Sequence, residues 1–256
     1  MLLADKRIIL TGCASGIGAA AARAFVAEGA HVACFDVAPS GHEVVEQATR
    51  DGPGRANFAR FDVSVRAEVM RAVDDAVATL GGLDALVHVA GVFAKAPADA
   101  IGENDWARML AVNLSGTVHV NQAVFAHLRE HGGSIVNFGS NAGVMGMPGA
   151  GHYAASKGAV LAWTRTIARE WGRFGIRANA IAPGIHTPMY EAFRASLSPQ
   201  ALADYDKAMQ AAIPLGGKRG DPDRDLAPVL VFMVGDGSRF ITGQTLSVDG
   251  GKLILT

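Results

Sequence analysis

The sequence predicts an α/β fold for this 256-residue chain: a doubly wound, parallel, seven-stranded sheet with helices on both faces. Short runs rich in β-branched residues alternate with longer segments of helical period, which favours parallel strands joined by right-handed crossovers. Several of the short runs are apolar at consecutive positions, as expected for strands that helices cover on both sides. No linker, repeat or low-complexity segment divides the chain, so residues 1–256 are predicted to form a single domain.

The individual elements follow from this alternation of periods. The predicted strands are Arg7–Leu10, His31–Phe35, Ala56–Phe61, Ala85–Val89, Ser134–Phe138, Arg177–Ile181 and Thr245–Val248. The predicted helices are Ile17–Glu28, Glu43–Arg50, Val65–Leu80, Glu103–Glu130, Tyr153–Phe174 and one around Asp223–Val234. The alternation stops after the sixth strand, where residues 182–220 hold four prolines and two short amphipathic pieces. An insertion at this place predicts a substrate lid at about residues 185–220, over the carboxyl ends of the strands.

Composition excludes several classes of function. Lys and Arg total 23 and Asp and Glu total 24, and this near-neutral balance argues against nucleic acid or anionic membranes as partners. Two cysteines supply neither a disulfide framework nor an all-cysteine zinc site. The longest stretch without charged residues, His131–Ser156, carries seven glycines, which is typical of a strand and loop rather than a membrane span. With no secretory signal in the first residues, the expected location is the cytoplasm.

A glycine-rich turn joins the first strand to the first helix over Thr11–Gly18. Gly12 permits the tight turn, Gly16 lets the backbone approach a pyrophosphate, and Gly18 lets the helix pack against the sheet. The helix N-terminus offers free N–H groups and a positive dipole end to the phosphates. Together with Asp36 at the end of the second strand, this context predicts a dinucleotide site. The turn has no Walker lysine, which argues against a nucleoside triphosphatase.

Three further strand ends present polar or glycine residues to the same crevice: Asp62 and Val63, Ala90 and Gly91, and Ser140. Asp62 has two interpretations that do not exclude each other. Its carboxylate is placed to accept a hydrogen bond from an adenine amino group, or to cap the helix that begins near Ser64.

Tyr153 and Lys157 are four residues apart on a predicted helix, so their side chains share one face. A phenol has a reference pKa of about 10, and a nearby ammonium is expected to lower it and to make the phenol a usable base. Ser140, at a strand end thirteen residues earlier, is placed to bond the reacting oxygen. By spacing alone, however, such a pair is also common on ordinary helix surfaces.

With these motifs the sequence resembles the short-chain dehydrogenase/reductase family over its whole length. The matching residues are Thr11-Gly12-x3-Gly16-Ile17-Gly18, Asn113, Ser140, Tyr153-x3-Lys157, Pro183-Gly184 with Thr187, and Asp249-Gly250-Gly251. The resemblance implies a Rossmann-type oxidoreductase in which Tyr153 transfers the proton while hydride passes between nicotinamide and substrate. It also implies that Ser140 polarises the carbonyl, Lys157 binds the nicotinamide ribose, and Asn113 positions a water that relays protons. By itself Asn113 would more often be a buried polar residue bonded to backbone.

The resemblance and the motifs together define the expected cofactor contacts. They are Gly12, Ser15, Gly16, Ile17, Gly18, Asp36, Asp62, Val63, Ala90, Gly91, Tyr153, Lys157, Pro183, Gly184, Ile185 and Thr187. Thr187 is expected to contact the nicotinamide carboxamide or the diphosphate. The expected cofactor is NAD rather than NADP, because Asp36 stands where a 2′-phosphate would bind, and because Ser15, Val37 and the residues to His42 include no Lys or Arg.

One departure from the family pattern concerns the fourth strand. Family members usually read Asn-Asn-Ala-Gly after it, whereas this chain reads His88-Val89-Ala90-Gly91. The asparagines help to stabilise the sheet and the adenosine side of the site, so another group must take their role here.

Other candidate residues have ordinary structural explanations. His127 and His131 have metal-ligand spacing, but no carboxylate or cysteine set completes a site, and no metal is predicted. His152 precedes Tyr153 and either faces the substrate or is buried, and Cys13 is either an oxidation-sensitive thiol or a small buried residue. Five large side chains are expected either to line an apolar pocket or to fill the core: Met145, Met147, Met189, Tyr190 and Phe193.

The leading hypothesis is therefore an NAD-dependent oxidoreductase acting on a small or medium, largely apolar secondary alcohol or ketone. Two alternatives remain: a catalytically silent dinucleotide-binding or scaffold protein, and a ketoacyl carrier-protein reductase with Lys218-Arg219 as a docking patch. A homotetramer is expected, because family members pair the two long helices and because Leu253-Ile254-Leu255 forms an apolar tail.

Overall fold

The computed structural model describes residues 1–254 and confirms the predicted seven-stranded parallel sheet. Its strands are β1 (Arg7–Thr11), β2 (His31–Asp36), β3 (Arg55–Arg60), β4 (Ala85–His88), β5 (Gly133–Phe138), β6 (Ile176–Pro183) and β7 (Thr245–Val248). Their order in the sheet is β3-β2-β1-β4-β5-β6-β7, so the strand order reverses next to β1. Ligands of open α/β sheets bind at such a switch point, outside the carboxyl ends of the strands. Of the apolar tail, Leu255 lies outside the described residues.

Helices cover both faces of the sheet, as the consecutive apolar positions predict. They are α1 (Gly16–Ala27), α2 (Gly41–Asp51), α3 (Arg66–Leu80), α4 (Glu103–Leu110), α5 (Gly116–Leu128), α6 (Ala142–Met145), α7 (Gly151–Trp171), α8 (Pro188–Ala195), α9 (Pro199–Ala212) and α10 (Ala227–Val234). Short 3-10 turns follow at Gly172–Phe174 and Asp236–Ser238. No helix within residues 1–254 has both the length and the apolar character to cross a membrane.

The two faces of the sheet build two separate cores. Ile8 and Leu10 of β1 pack into the core that α1 and α10 cover, whereas Ile9 between them packs into the core that α3 and α5 cover. All three side chains are fully buried. Because successive strand residues point to opposite faces, this alternation accounts for the unbroken apolar run in the sequence.

The predicted helix Glu103–Glu130 is not continuous. A π-helical stretch, Ala111–Ser115, separates α4 from α5 and carries the fully buried Asn113. The Asn113 amide exchanges hydrogen bonds with the backbone of Val92, at 2.8 and 2.9 Å. Such insertions are frequent at functional sites, where they re-aim a side chain. Apolar periodicity carries no signal for this one, so the sequence predicted a single helix.

The segment after β6 folds into the two predicted amphipathic pieces, α8 and α9. Each begins with a proline, and the hydroxyls of Thr187 and Ser198 cap the two N-termini. An ion pair between Arg194 and Asp206 joins the two helices. A parallel bridge between Ile185 and Gly220 closes the base of the segment, which places it beside the end of β6.

Candidate active site

A cavity of about 740 Å³ lies at the carboxyl ends of the strands. The sequence-predicted residues that line it are Gly12, Ser15, Gly16, Ile17, Asp36, Asp62, Val63, Ala90, Gly91, Ser140, Tyr153, Lys157, Pro183, Gly184, Ile185 and Thr187. Gly18 and Asn113 lie behind this wall, both buried. The structure therefore brings the predicted nucleotide residues and the predicted catalytic residues into one continuous space.

The glycine turn has no room for side chains at two of its positions. A Cβ at Gly12, whose φ is +76°, would stand 2.6 Å from the backbone nitrogen of Ala90. A Cβ at Gly18 would stand 1.9 Å from the carbonyl oxygen of Gly12. Glycine at both positions lets the turn lie against the end of β4 and lets α1 begin directly behind it. The first-turn N–H groups of α1 consequently face the cavity, where the oxygens of a diphosphate would accept hydrogen bonds from them.

Asp36 at the end of β2 is held by backbone donors on both carboxylate oxygens. Its Oδ2 accepts from the Ala14 N–H and its Oδ1 from the Ala38 N–H, both at 2.9 Å. The first bond fixes the carboxylate against the glycine turn, at the nucleotide end of the cavity. Each oxygen keeps a second lone-pair direction for a ligand hydroxyl.

Asp62 closes the turn that leads into α3. Its Oδ1 accepts from the backbone N–H of Ser64 at 2.8 Å and from the Ser64 hydroxyl at 2.7 Å. The helix itself begins later, at Arg66, so Asp62 orders the approach to the helix rather than occupying its cap position. Its carboxylate also lines the cavity, and the adenine contact stays a prediction.

The catalytic candidates meet around the end of β5 and the first turns of α7. Lys157 is buried and its Nζ donates to the carbonyl oxygen of Phe138 at 2.8 Å. A Cβ at Gly91 would lie 3.1 Å from Asn113 Oδ1 and 3.3 Å from Lys157 Nζ, which shows how closely the two side chains converge there. Asn113 Nδ2 also donates to Ser156 Oγ at 3.1 Å, one residue before the lysine.

The pKa of the Lys157 ammonium falls to about 8, because burial penalises its charged form. Such a lysine exchanges protons close to neutral pH. The pKa of Tyr153 moves the other way: burial raises it, and the Ser140 hydroxyl and the positive charge of Arg219 offset only part of the rise. The expected lowering by Lys157 is therefore not observed. That ammonium donates to the Phe138 carbonyl, while the Phe93 ring packs edge-on against Tyr153 with centroids 4.9 Å apart.

The Pro183-Gly184 turn packs against the C-terminal Asp249-Gly250-Gly251 motif. A Cβ at Gly184 would stand 2.6 Å from the Asp249 Cβ. The Asp249 carboxylate in turn accepts from Asn141 Nδ2 at 2.6 Å and from the Leu253 N–H at 2.8 Å. Thr187 lines the cavity, and its hydroxyl accepts from the Tyr190 N–H at 3.2 Å as the cap of α8.

His88 replaces the usual asparagine by bonding across the centre of the sheet. Its Nδ1 lies 2.8 Å from the Thr11 hydroxyl, which connects β4 to β1 just below the glycine turn. The ring is fully buried, and burial together with the charge of Lys157 lowers the pKa of His88 to about 3. The histidine is therefore neutral in the folded chain. Its Nε2 has no hydrogen-bond partner among residues 1–254.

The remaining sequence candidates divide between the cavity and the core. Met145, Met147, Met189, Tyr190 and Phe193 all line the cavity. His152 and Cys13 are buried and do not line it. His127 bonds Asp74 at 2.8 Å instead of pointing to a ligand set, and the described chain holds no cluster of three or more metal-ligating side chains.

Sequence reasoning missed several residues that line the cavity, and four of them are Phe93, Tyr205, Arg219 and Lys252. Arg219 was named only as part of a docking patch. None of the four stands in a local motif, because each reaches the site from a loop, the lid or the C-terminal segment. No signal short of tertiary structure identifies them.

Comparison with known proteins finds relatives along nearly the whole chain. The family model that matches residues 12–252 is described as enoyl-(acyl carrier protein) reductase. The 3-oxoacyl-(acyl-carrier-protein) reductase of Thermotoga maritima is 36% identical over 256 residues, which are 99% of this chain and 100% of that protein. The D-threitol dehydrogenase of Mycolicibacterium smegmatis is 36% identical over 253 residues, which are 98% of this chain and 94% of that protein.

The fold has a close counterpart among solved structures. A short-chain type dehydrogenase/reductase from Mycobacterium ulcerans superposes with a TM-score of 0.91 at 30% sequence identity. The match covers 98% of this chain and 91% of that structure. These three relatives are all named as reductases or dehydrogenases.

The buried neutral histidine predicts a specific pH dependence of stability. Because the pKa of His88 is lowered in the folded chain, the unfolded chain binds a proton at this histidine first as the pH falls below about 6.5. The free energy of unfolding therefore decreases, through His88, as the pH falls from 6.5 to about 3. At about 1.4 kcal/mol per pH unit, this loss amounts to roughly 2 kcal/mol between pH 7 and pH 5.

We expect His88→Asn to abolish this loss, since asparagine does not titrate. Urea unfolding of both proteins at pH 7 and pH 5, at one fixed protein concentration, measures the difference. Equal pH dependence of the two proteins would show that His88 accepts a proton in the folded state.

Proposed function

The chain belongs to the short-chain dehydrogenase/reductase family, and we propose that it is an NAD-dependent enzyme that interconverts a secondary alcohol and a ketone. The observation that supports the proposal most directly is the convergence of Ser140, Tyr153 and Lys157 on a cavity that also contains the glycine turn. A fold alone does not fix an activity, whereas this set of groups has a defined chemistry.

The lining of the cavity supports binding of a nicotinamide dinucleotide. Asp36 stands at one end, the N-terminus of α1 faces the middle, and Tyr153 and Lys157 stand at the other end. These groups match a ribose, a diphosphate and a second ribose in that order. When bound, the nicotinamide supplies the hydride acceptor for alcohol oxidation or the hydride donor for ketone reduction.

In the proposed mechanism the Tyr153 hydroxyl gives its proton to the substrate oxygen in reduction and takes it back in oxidation. The Ser140 hydroxyl donates a hydrogen bond to the same oxygen and orients it. Burial keeps the phenol protonated, since it raises the pKa of Tyr153, and this suits the phenol as an acid. Lys157 replenishes the proton, because its pKa of about 8 lets it cycle near neutral pH. Asn113, held between Val92 and Ser156, is assigned the positioning of a water that relays protons between Lys157 and bulk solvent.

A ketoacyl carrier-protein reductase is the second candidate, because the Thermotoga maritima relative that carries this name matches over 99% of this chain and 100% of its own length. The D-threitol dehydrogenase, equally identical, supports oxidation of a small alcohol instead. Initial rates with a β-ketoacyl thioester and with a panel of free secondary alcohols and ketones separate the two. A silent scaffold would turn over neither.

The lid and the location of the chain complete the proposal. We propose that the whole chain is one catalytic domain, in which residues 185–220 close over the substrate once cofactor and substrate are bound. We propose a cytoplasmic location, because Cys13 and Cys34 are both free thiols and a reducing compartment keeps thiols free.

Tyr153→Phe is expected to remove nearly all turnover and to leave cofactor affinity within a few-fold, because it deletes only the proton donor. Lys157→Ala should also weaken cofactor binding, since the lysine is assigned a ribose contact. Steady-state rates and cofactor titration by fluorescence measure both effects. Tyr205→Phe, which removes another phenol from the cavity wall, is the matched control and should stay within a few-fold of wild type. A Tyr153→Phe protein that keeps more than a tenth of the activity would contradict the assignment.

The preference for NAD rests on the surroundings of Asp36. A 2′-phosphate would place a dianion beside this carboxylate. Val37, the next residue, is 54% exposed and carries no charge. Arg60, which pairs with Asp36 in the sheet register, donates to the Val37 carbonyl at 3.0 Å and does not line the cavity. Neither neighbour therefore offers a cation to the phosphate.

We expect kcat/KM with NAD to exceed that with NADP at least ~100-fold, equivalent to ~2.7 kcal/mol. The double variant Asp36→Ala, Val37→Arg should narrow or invert this ratio, because it exchanges the repelling carboxylate for a cation. Steady-state kinetics with both cofactors test the prediction. Comparable efficiency of the wild type with the two cofactors would overturn it.

We propose a homotetramer, since large apolar side chains remain uncovered on the faces that such an assembly would use. Trp106 on α4 is 40% exposed, Leu246 on β7 is 38% exposed, and Phe240 just before β7 is fully exposed. Pairing of α4–α5 and α7 across one dyad, and of the β7 edge across another, would bury them.

Light scattering should accordingly give about four times the chain mass of 26.5 kDa. Phe240→Asp should reduce this mass, because it introduces a charge into the interface proposed beside β7. A wild-type mass near that of one chain would refute the assembly.

A further inference from the structure

Charge is distributed unevenly along the cavity. Its acidic side chains among residues 1–254 are Asp36 and Asp62, both at the nucleotide end. Its basic side chains are Arg108, which is exposed, Lys157, Arg219 and Lys252, and the charge of Arg219 acts on the Tyr153 phenol. The proposed mechanism uses neither Arg219 nor Lys252, although both are half-buried in the cavity wall.

Arg219 is held in place without an acidic partner. Its guanidinium lies over the Tyr190 ring, 4.0 Å from the centroid, and Nη1 donates to the Ile185 carbonyl at 3.4 Å. No ion pair involves it within the described chain. The stacking and the backbone bond orient the guanidinium, which also lies near the Tyr205 hydroxyl, and some of its five N–H donors remain for a ligand.

Lys252 reaches the same place from the C-terminal segment. Its Nζ lies 3.5 Å from the sulfur of Met209, and no carboxylate among residues 1–254 pairs with it. Asp249 is near, but its two oxygens accept from Asn141, Gly251 and Leu253. Burial and the positive charge of Arg219 both lower the pKa of Lys252, so the two cations are close enough to repel each other.

Two like charges that share a half-buried wall, with no carboxylate ion-paired to either, favour an anion between them. We propose that Arg219 and Lys252 form a subsite for an oxyanion of the substrate, so that the enzyme acts on a secondary alcohol or ketone that carries a carboxylate or a similar group. The inference rests on the proposed function, and it revises the expectation of a largely apolar substrate. The part of the cavity wall that contains Met145 and Phe193 is apolar, whereas the part that contains Arg219 and Lys252 is cationic.

The decisive experiment compares acids with their neutral esters. The substrates are 3-hydroxybutanoate, 4-hydroxypentanoate and 5-hydroxyhexanoate, each beside its methyl ester, because the series varies the distance between the alcohol and the oxyanion. For at least one chain length we expect wild-type kcat/KM to be at least ten-fold higher for the acid than for the ester. Sulfonate and phosphate-monoester analogues of the best acid then identify which oxyanion is preferred.

Arg219→Met and Lys252→Met should each lower the acid-to-ester ratio of kcat/KM by about 10- to 100-fold, the range of a charge-assisted hydrogen bond. The ratio is the readout because the charge of Arg219 also acts on the pKa of Tyr153, an effect that both substrates share. The matched control is Lys218→Gln, an exposed neighbour that does not line the cavity, and its ratio should equal that of wild type. Thermal unfolding shows whether each variant is folded.

Each outcome decides one claim. Equal turnover of acids and esters would overturn the oxyanion subsite and leave the proposed function intact. A rise in the KM for NAD in Arg219→Met, with an unchanged acid-to-ester ratio, would assign the arginine to cofactor binding. That result would also overturn the oxyanion subsite. A loss in Lys218→Gln as large as that in Arg219→Met would indicate a surface docking patch instead. If no alcohol or ketone is turned over, the proposed function fails, and calorimetric binding of the acids and esters still decides the subsite.

Discussion

The turn after β1 packs so tightly that neither Gly12, against Ala90 at the end of β4, nor Gly18, against the carbonyl of Gly12, has space for a side chain. This close backbone contact positions the other parts of the site. It sets where α1 begins, and hence where the free N–H groups of its first turn point. It also brings the ends of β1 and β4 together, with the bond between His88 and Thr11 directly beneath. An added methyl group at either glycine would displace the nucleotide end of the cavity as a whole.

At the end of the cavity that contains Tyr153 and Lys157, burial of polar groups controls the chemistry. Lys157 is buried, and burial lowers its pKa to about 8, while the Phe138 carbonyl oxygen accepts a hydrogen bond from its ammonium. Asn113 reaches the same neighbourhood only because the helix takes π-helical geometry there. The cost of burying both groups is offset by hydrogen bonds to Phe138, Val92 and Ser156. Positive charge then accumulates near Tyr153, and this is the physical basis of a substrate end that differs in sign from the nucleotide end.

Local pattern was sufficient for most of the fold. β7 has the predicted bounds, and the other strands differ from prediction by one or two residues at one or both ends. The largest error was the predicted helix Glu103–Glu130, because apolar periodicity cannot detect an extra residue inserted in a helical turn. Spacing predicted that Tyr153 and Lys157 share one helix face, and the family resemblance joined Ser140 to them; all three line one cavity. Arg219 and Lys252 escaped detection because tertiary packing alone brings them to that cavity, and the raised pKa of Tyr153 escaped it because burial is a tertiary quantity.

Direct transfer of hydrogen from the substrate carbon is the most direct test of the central claim, that this site performs nicotinamide-dependent oxidation and reduction. A secondary alcohol deuterated at its carbinol carbon is incubated with the protein and NAD in ordinary water, and the reduced cofactor is analysed by mass spectrometry. We expect a reduced cofactor that carries the deuterium on its nicotinamide ring, and no carbon-bound deuterium when an unlabelled alcohol reacts in heavy water. Label acquired from the solvent, or no reduced cofactor with any alcohol of the panel, would contradict it.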